Sequence, residues 1–416
     1  MIEMLTILRN NYKFKKALLV LSIVFLFLYI FSIPAFSGRS FWHYFSYGFM
    51  VLLSITSIFY FVLYVNRTEI KYRIFLLPAF ALWGAIGTIF YSQNFRGYLS
   101  LILLVLSFFI FYFTFLNIGD SRIIIKTLVF AFSLFCVYFL FVYRNKLIGA
   151  IKNGDRLGSE FDNPNAIGTY MNTAIILSLY LSIMFKKKRD LFYLFPVILF
   201  LFVGYLTGSR TFIVNLVVSI YAILFIRFRK KKLIFLVIAL ASAVSFVILL
   251  NLPFMSFIKN QFLNTLFTLF GGSSGKIDKS SLSRTEWQLF GIILGSKNCI
   301  IGYGFYGFAK YSGIGTYTHG TFSEVFCDYG LIGLLLFYIF IVLPFILMFY
   351  SKKQDKYIII PLFLLFIVKS FLGVFITDKD SYIIFALCYF LVNDVKSLTI
   401  FSKKAFDEIN YSEFTI

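Results

Sequence analysis

Charge is scarce in this chain of 416 residues: Asp, Glu, Lys and Arg together make only 14% of it, where a soluble domain carries roughly 25%. Histidine is scarcer, with two copies, and there are four cysteines and seven prolines. No Cys/His cluster has metal-ligand spacing, so no zinc or iron–sulfur site is expected. Asp155, Glu160 and Asp162 are too loosely spaced to argue for a magnesium site. No Walker-type glycine loop occurs, which removes direct use of ATP, and no other cofactor motif stands out. No run of small residues resembling a cleavage site follows the first apolar stretch, so that stretch is expected to be a retained span.

What is present in excess is apolar and aromatic: 60% hydrophobic and 21% Phe, Trp or Tyr. These residues come in continuous runs of about 20, long enough to cross a bilayer as helices and without the alternation of a membrane β-barrel. The pattern predicts an all-α polytopic membrane protein of about twelve spans. The spans are 17–36, 42–65, 73–92, 97–117, 122–143, 164–185, 191–208, 211–227, 233–251, 330–350, 357–376 and 382–394.

The formal charge of +21 would suit nucleic acid, but its placement points elsewhere. Lys and Arg gather between apolar runs, as in "KFKK" (13–16), "KKKRD" (186–190), "RFRKKK" (227–232), "SKKQDK" (351–356) and "SKK" (402–404), which is the positive-inside pattern. With the N-terminus inside, all these clusters fall on the cytoplasmic side, and the even span count returns the tail there. The chain then divides into a bundle of about nine spans (1–251), a large extracytoplasmic loop (252–329), three further spans (330–394) and a cytoplasmic tail (395–416).

That large loop is too long to be mere connection. Two stretches of it, 253–270 and 283–295, read as short amphipathic helices, with a flexible "GGSSGKIDKS" between them. Cys299 and Cys327, in or beside it, are a conceivable disulfide pair. The halves of the chain show no self-similarity, which weighs against an inverted-repeat transporter.

The polar residues of the predicted outer side cluster in "GDRLGSEFDNPN" (154–165), "GSRT" (208–211), "SRTEW" (283–287), "GYGF" (302–305) and "THGTFSE" (318–324). Arg210 and Arg284 share a Ser-Arg-Thr context, and Arg210 sits at a span end where the positive-inside bias disfavours it. Guanidinium forks match phosphate geometry and stay charged when desolvated, so outward arginines, Arg156 among them, suit a lipid-carried phosphate or pyrophosphate. His319 adds a group able to take a proton near neutral pH. The other histidine, His43 in "FWHYF", reads as an interfacial belt residue. Lys369, in "FIVKSFLG", lies mid-span, where it either pairs within the bundle or faces a cavity.

Four of these stretches in order resemble segments of the O-antigen ligase and O-antigen polymerase superfamily. They are "RLGSEFDNPNAIGTYM", "TGSRTFIVNL", "SRTEWQLFGIILGSKNCIIGYGFYGF" and "HGTFSEVFCDYGLIGLLLF", spread over roughly 150–340. The resemblance implies a GT-C-like, metal-independent membrane glycosyltransferase with a polyprenyl-pyrophosphate-linked glycan as donor. His319, Arg210 and Arg284 would be its catalytic residues; Arg156, Asn163, Asn165, Ser209, Tyr303 and Glu324 would bind substrate. It would act in the inner membrane of a bacterium, facing outward, building O-antigen, capsule or exopolysaccharide. A flippase and a chain-length regulator are the partners such a system implies. A polymerase, transferring the glycan to another lipid-linked repeat unit, is expected ahead of a ligase that uses lipid A-core, a cell-wall polymer or a protein. A lipid-linked oligosaccharide flippase is the competing class, but it would carry its charges inside the bundle.

Overall fold

The computed structural model describes residues 11–36, 40–64, 71–153, 155–161, 163–184, 188–228 and 279–394, with isolated positions from 231 to 240. The expected span 233–251, the 253–270 helix, the glycine-serine hinge and the tail 395–416 lie outside them. Among the described residues every regular element is a helix.

The chain runs through α1 (Tyr12–Phe36), α2 (Ser40–Tyr64), α3 (Leu76–Gly87), α4 (Phe95–Ile118) and α5 (Ser121–Val142). A short α6 (Leu147–Asn153) precedes α7 (Pro164–Met184), α8 (Leu194–Leu206) and α9 (Arg210–Phe228). After the undescribed stretch come α10 (Lys279–Ser296), α11 (Gly307–Ser312), α12 (Thr321–Met348), α13 (Ile359–Leu372) and α14 (Lys379–Leu391). Eight helices among the described residues are long and apolar enough to cross a membrane. Helices α8, α13 and α14, where three further spans were expected, are shorter, at 13, 14 and 13 residues.

Helix ends follow local chemistry. Asn94 and Asp120 cap α4 and α5 through side-chain oxygens that accept Gly97 N and Arg122 N. Gly119, with φ of 70°, closes α4 in the left-handed conformation. Helix α7 is the most enclosed, with 83% of its span buried against 33% to 56% for the other seven. It packs on α5, α8 and α9, while α4 pairs with α14 and α3 with α12. The core is largely aromatic: Phe340 stacks on Tyr389 with centroids 4.8 Å apart, and the Tyr389 hydroxyl donates to the Phe340 carbonyl at 2.9 Å.

Helix α12 departs most from expectation. The span predicted to begin at 330 begins at Thr321 and breaks at Gly330, whose backbone is non-helical (φ 66°, ψ −169°). The break releases backbone groups that would otherwise bond within the helix, and a glycine-rich loop answers them. Tyr303 N donates to the Cys327 carbonyl at 3.0 Å, Gly304 N to the Asp328 carbonyl at 2.6 Å, and Leu331 N to the Cys299 carbonyl at 2.7 Å. Irregular backbone at membrane depth is tolerated where protein satisfies it, as here. A Cβ on Gly302 would lie 2.5 Å from the Asp328 backbone, and one on Gly330 2.3 Å from the Ile300 carbonyl oxygen. Cys299 is exposed and Cys327 buried, and neither is in a disulfide. The thiol of Cys327 is spent on packing, beside Leu294 and Phe308.

Candidate functional site

One cavity of about 350 Å³ gathers most of the polar residues picked out from the sequence. Arg156, Asn163 and Asn165 reach it from the α7 entrance, Arg284 from α10, His319 from the loop before α12, and Glu324 from the first turn of α12. Lys369, from the last turn of α13, and Asp378, from the connection to α14, add to the lining. These residues are separated by as many as 222 positions, so a shared surface is a property of the fold.

Each is held for a local reason. Asn163 caps α7, its Oδ1 accepting Asn165 N at 3.0 Å, and Pro164 occupies the first helical position, where a missing N–H costs nothing. Arg156 is braced from two sides: its Nε donates to the Thr207 carbonyl at 3.1 Å and its Nη2 to Asn165 Oδ1 at 3.2 Å. The carboxylate of Glu324 turns back to accept Thr318 N at 2.7 Å, and Ser323 Oγ donates to Thr318 Oγ1 at 2.9 Å. Thr321 N donates to the Gly373 carbonyl at 3.0 Å, which ties the start of α12 to the end of α13.

His319 stands on this knot with φ of 63°, in the left-handed region that few side-chain-bearing residues adopt. Such strain persists only where the surroundings over-determine it. Its ring lies on Trp287 (centroids 5.2 Å, interplanar 23°) and against Tyr317 (4.4 Å), and its carbonyl accepts Gln288 Nε2 at 3.2 Å. Burial, and secondly the Arg284 guanidinium, lower its pKa from 6.5 to about 4, so the imidazole is neutral at pH 7. Burial also raises the phenols of Tyr306 and Tyr317, Arg284 opposing the shift at Tyr317, so both are neutral hydrogen-bond donors.

The cavity is electrically mixed. Arg156, Arg284 and Lys369 face Glu324, Asp328 and Asp378 across its walls. Lys369 Nζ lies 2.7 Å from Asp378 Oδ2 and 3.8 Å from Asp380 Oδ2, so this lysine, expected mid-span but found in the last turn of α13, both pairs with carboxylates and borders the cavity. Asp328 is 2% exposed, and its Oδ1 accepts Phe308 N at 2.8 Å.

Two predicted residues stand elsewhere. Ser209 caps α9, accepting Phe212 N on Oγ at 3.2 Å, and Tyr303 packs its ring on Tyr311 and Tyr91. The backbone of Arg210 opens α9, while its side chain, like Asp162, lies outside what the structure describes. Sequence reasoning passed over Asp328, Asp378, Tyr306 and Tyr317. One signal was available: Glu324 and Asp328 are four apart, on one helical face, just ahead of an apolar run.

Comparison with known proteins agrees with this part of the chain. Residues 195–338 match the family model described as O-antigen ligase, a segment that includes Arg210, Arg284, His319, Glu324 and Asp328. No curated protein matches the chain.

Proposed function

We propose, from the match of residues 195–338 to the O-antigen ligase family model, that the protein is a GT-C-like polysaccharide polymerase of the O-antigen ligase and polymerase superfamily. It transfers a polyprenyl-pyrophosphate-linked glycan to a second lipid-linked repeat unit at the outer face of the bacterial cytoplasmic membrane. The observation that carries the proposal is a single cavity holding Arg156, Arg284 and Lys369 beside a neutral histidine.

In this reading Arg284 and Arg156, joined by Arg210, hold the donor pyrophosphate and stabilise the charge it gains on leaving. The acceptor hydroxyl attacks the anomeric carbon, a carbon–oxygen bond forms, and the bond to phosphate breaks with its electron pair going to the polyprenyl pyrophosphate. The hydroxyl proton passes to the lone pair of His319, which burial, aided by Arg284, keeps unprotonated, and from there to solvent. Glu324 acts through Thr318, fixing the loop that presents His319, and is a positioning residue. Most of the rate gain is orientation of two membrane-held substrates. No metal is required by this scheme.

The test is purified protein with one lipid-linked repeat unit and EDTA, products read as a gel ladder. A ladder that Arg284→Ala, Arg210→Ala and His319→Ala each abolish supports the proposal. The description of the matched family favours a ligase as the second reading. Donor consumed only when lipid A-core or another non-repeat acceptor is supplied would establish that reading. Transport of the repeat unit across liposomes with no transfer would replace both by a flippase.

A further inference from the structure

A second, larger cavity of about 780 Å³ runs between α2 and α4, and Phe305, Tyr306 and Thr377 belong to its wall and to that of the first cavity. Its character changes along its length. At one end stand Asn94, Arg96 and Lys379, with the Lys379 ammonium 5.1 Å over the Tyr47 ring. Beyond them the lining is mostly apolar, through Met50, Val51, Leu103, Leu106 and Ile110 with Ser54, Ser100 and Ser107 between them, and Val51, Leu103 and Leu106 are half exposed. From Arg96 to Ile110 helix α4 climbs about 21 Å, some two thirds of a hydrocarbon core of about 30 Å. A groove with cations at the interface and apolar walls to that depth is shaped for an anionic head on a long hydrocarbon chain, not for a free sugar or phosphate.

Resting on the polymerase reading, we propose that this groove holds the polyprenyl phosphate carrier of the acceptor. Its phosphate lies between Arg96 and Lys379, and its chain lies along α4. Arg284 and Arg156 line the first cavity and not the groove, whereas Arg96 and Lys379 line the groove and not the first cavity, so two lipid phosphates have separate cationic seats. The shared Phe305–Tyr306 wall sets the two heads side by side. Phe305 is wedged there: Phe305 N donates to Thr88 Oγ1 at 3.0 Å, and a Cβ on Gly97 would lie 2.7 Å from its ring. A polymerase needs two lipid-borne substrates with their heads adjacent, and this arrangement provides for both.

The test uses the full chain in nanodiscs with a polyprenyl monophosphate that carries a diazirine in its tail and no sugar. After photolysis, label is expected on peptides containing Met50–Val51 and Leu103–Ile110. The Arg96→Gln/Lys379→Gln variant should lower it about tenfold, as expected for losing charged contacts to phosphate. Val51→Trp/Leu106→Trp, which fills the groove and leaves the cations, should lower it as well. Arg284→Gln should leave it in place. Label elsewhere, or label indifferent to both groove variants, overturns the proposal. So does erasure by excess phosphatidylglycerol, which marks an ordinary phospholipid site, or loss in Arg284→Gln, which makes the groove the donor's tail channel. Labelling needs no turnover, so a labelled groove in a chain that builds no ladder sinks the polymerase reading alone.

Discussion

At the scale of single residues, His319 is the sharpest case, because its environment sets both its shape and its charge. Its folded pKa of about 4 lies below the value of about 6.5 expected of the unfolded chain. Acidification through that window therefore protonates the unfolded chain first: the stability tied to His319 is full above 6.5 and is lost as pH falls toward 4. Activity that needs the neutral ring should stay level from neutral pH down to 5 and decline as pH approaches 4. Arg284→Gln should move the His319 titration upward, since one of the two causes of its depression is removed. Histidine NMR in a His43→Gln background would read that shift directly; an unmoved resonance would mean that burial alone sets it. For turnover, Arg284→Lys keeps the charge and loses the fork, and a drop of about a hundredfold in kcat/KM is expected from single-turnover assays.

At the scale of elements, the break in α12 and the ion pair behind the cavity are the features with measurable cost. Gly330→Ala forces a side chain into a left-handed position against the Ile300 carbonyl, and should destabilise the protein by about 1–3 kcal/mol. Gly149→Ala, in open space on α6, is the control, expected to hold stability or raise it by up to about 1 kcal/mol, as alanine for glycine in a helix does. Thermal unfolding in detergent compares the two, and equal midpoints would mean the loop–helix junction relaxes. Lys369→Met leaves the carboxylates of Asp378 and Asp380 without their cation, a loss of about 3–5 kcal/mol for a buried pair. Lys369→Met/Asp378→Asn should recover most of that loss in the same assay, and no recovery would show that the lysine acts through other contacts. The break in α12 was not legible in the sequence, for a clear reason. Apolar periodicity reports which faces meet lipid or core, and the stretch from 331 onward satisfied it. The carbonyls freed at Cys327 and Asp328 are met by Tyr303 and Gly304, which no local pattern connects to them. A cap such as Asn163–Pro164 is easier to read, because its chemistry lies within three residues; Ser209, expected to bind substrate, turned out to be such a cap for α9.

At the scale of the molecule, hydropathy alone carried the class, and the four motifs carried the cavity's membership, with Arg156, Arg284, His319 and Glu324 meeting in one place. Asp378 and Tyr306 escaped because their relevance comes only from how α13, α14 and the glycine loop are packed. The proposed orientation has a simple check in the native cysteines. Cys299 is exposed while Cys136, Cys327 and Cys388 are buried, so a membrane-impermeant maleimide should label one position, from outside, in intact spheroplasts. Labelling only after the membrane is opened would invert the topology and move the cavity to the cytoplasmic side.

The Phe305–Tyr306 partition has a further consequence for the product. If the donor sits on one side of a wall one loop thick and the acceptor on the other, each transfer leaves the lengthened chain on the acceptor side. Its carrier must change sides before it can donate again. Enlarging the passage with Phe305→Ala should ease that exchange, shift synthesis from distributive toward processive, and replace a graded ladder by fewer, longer chains.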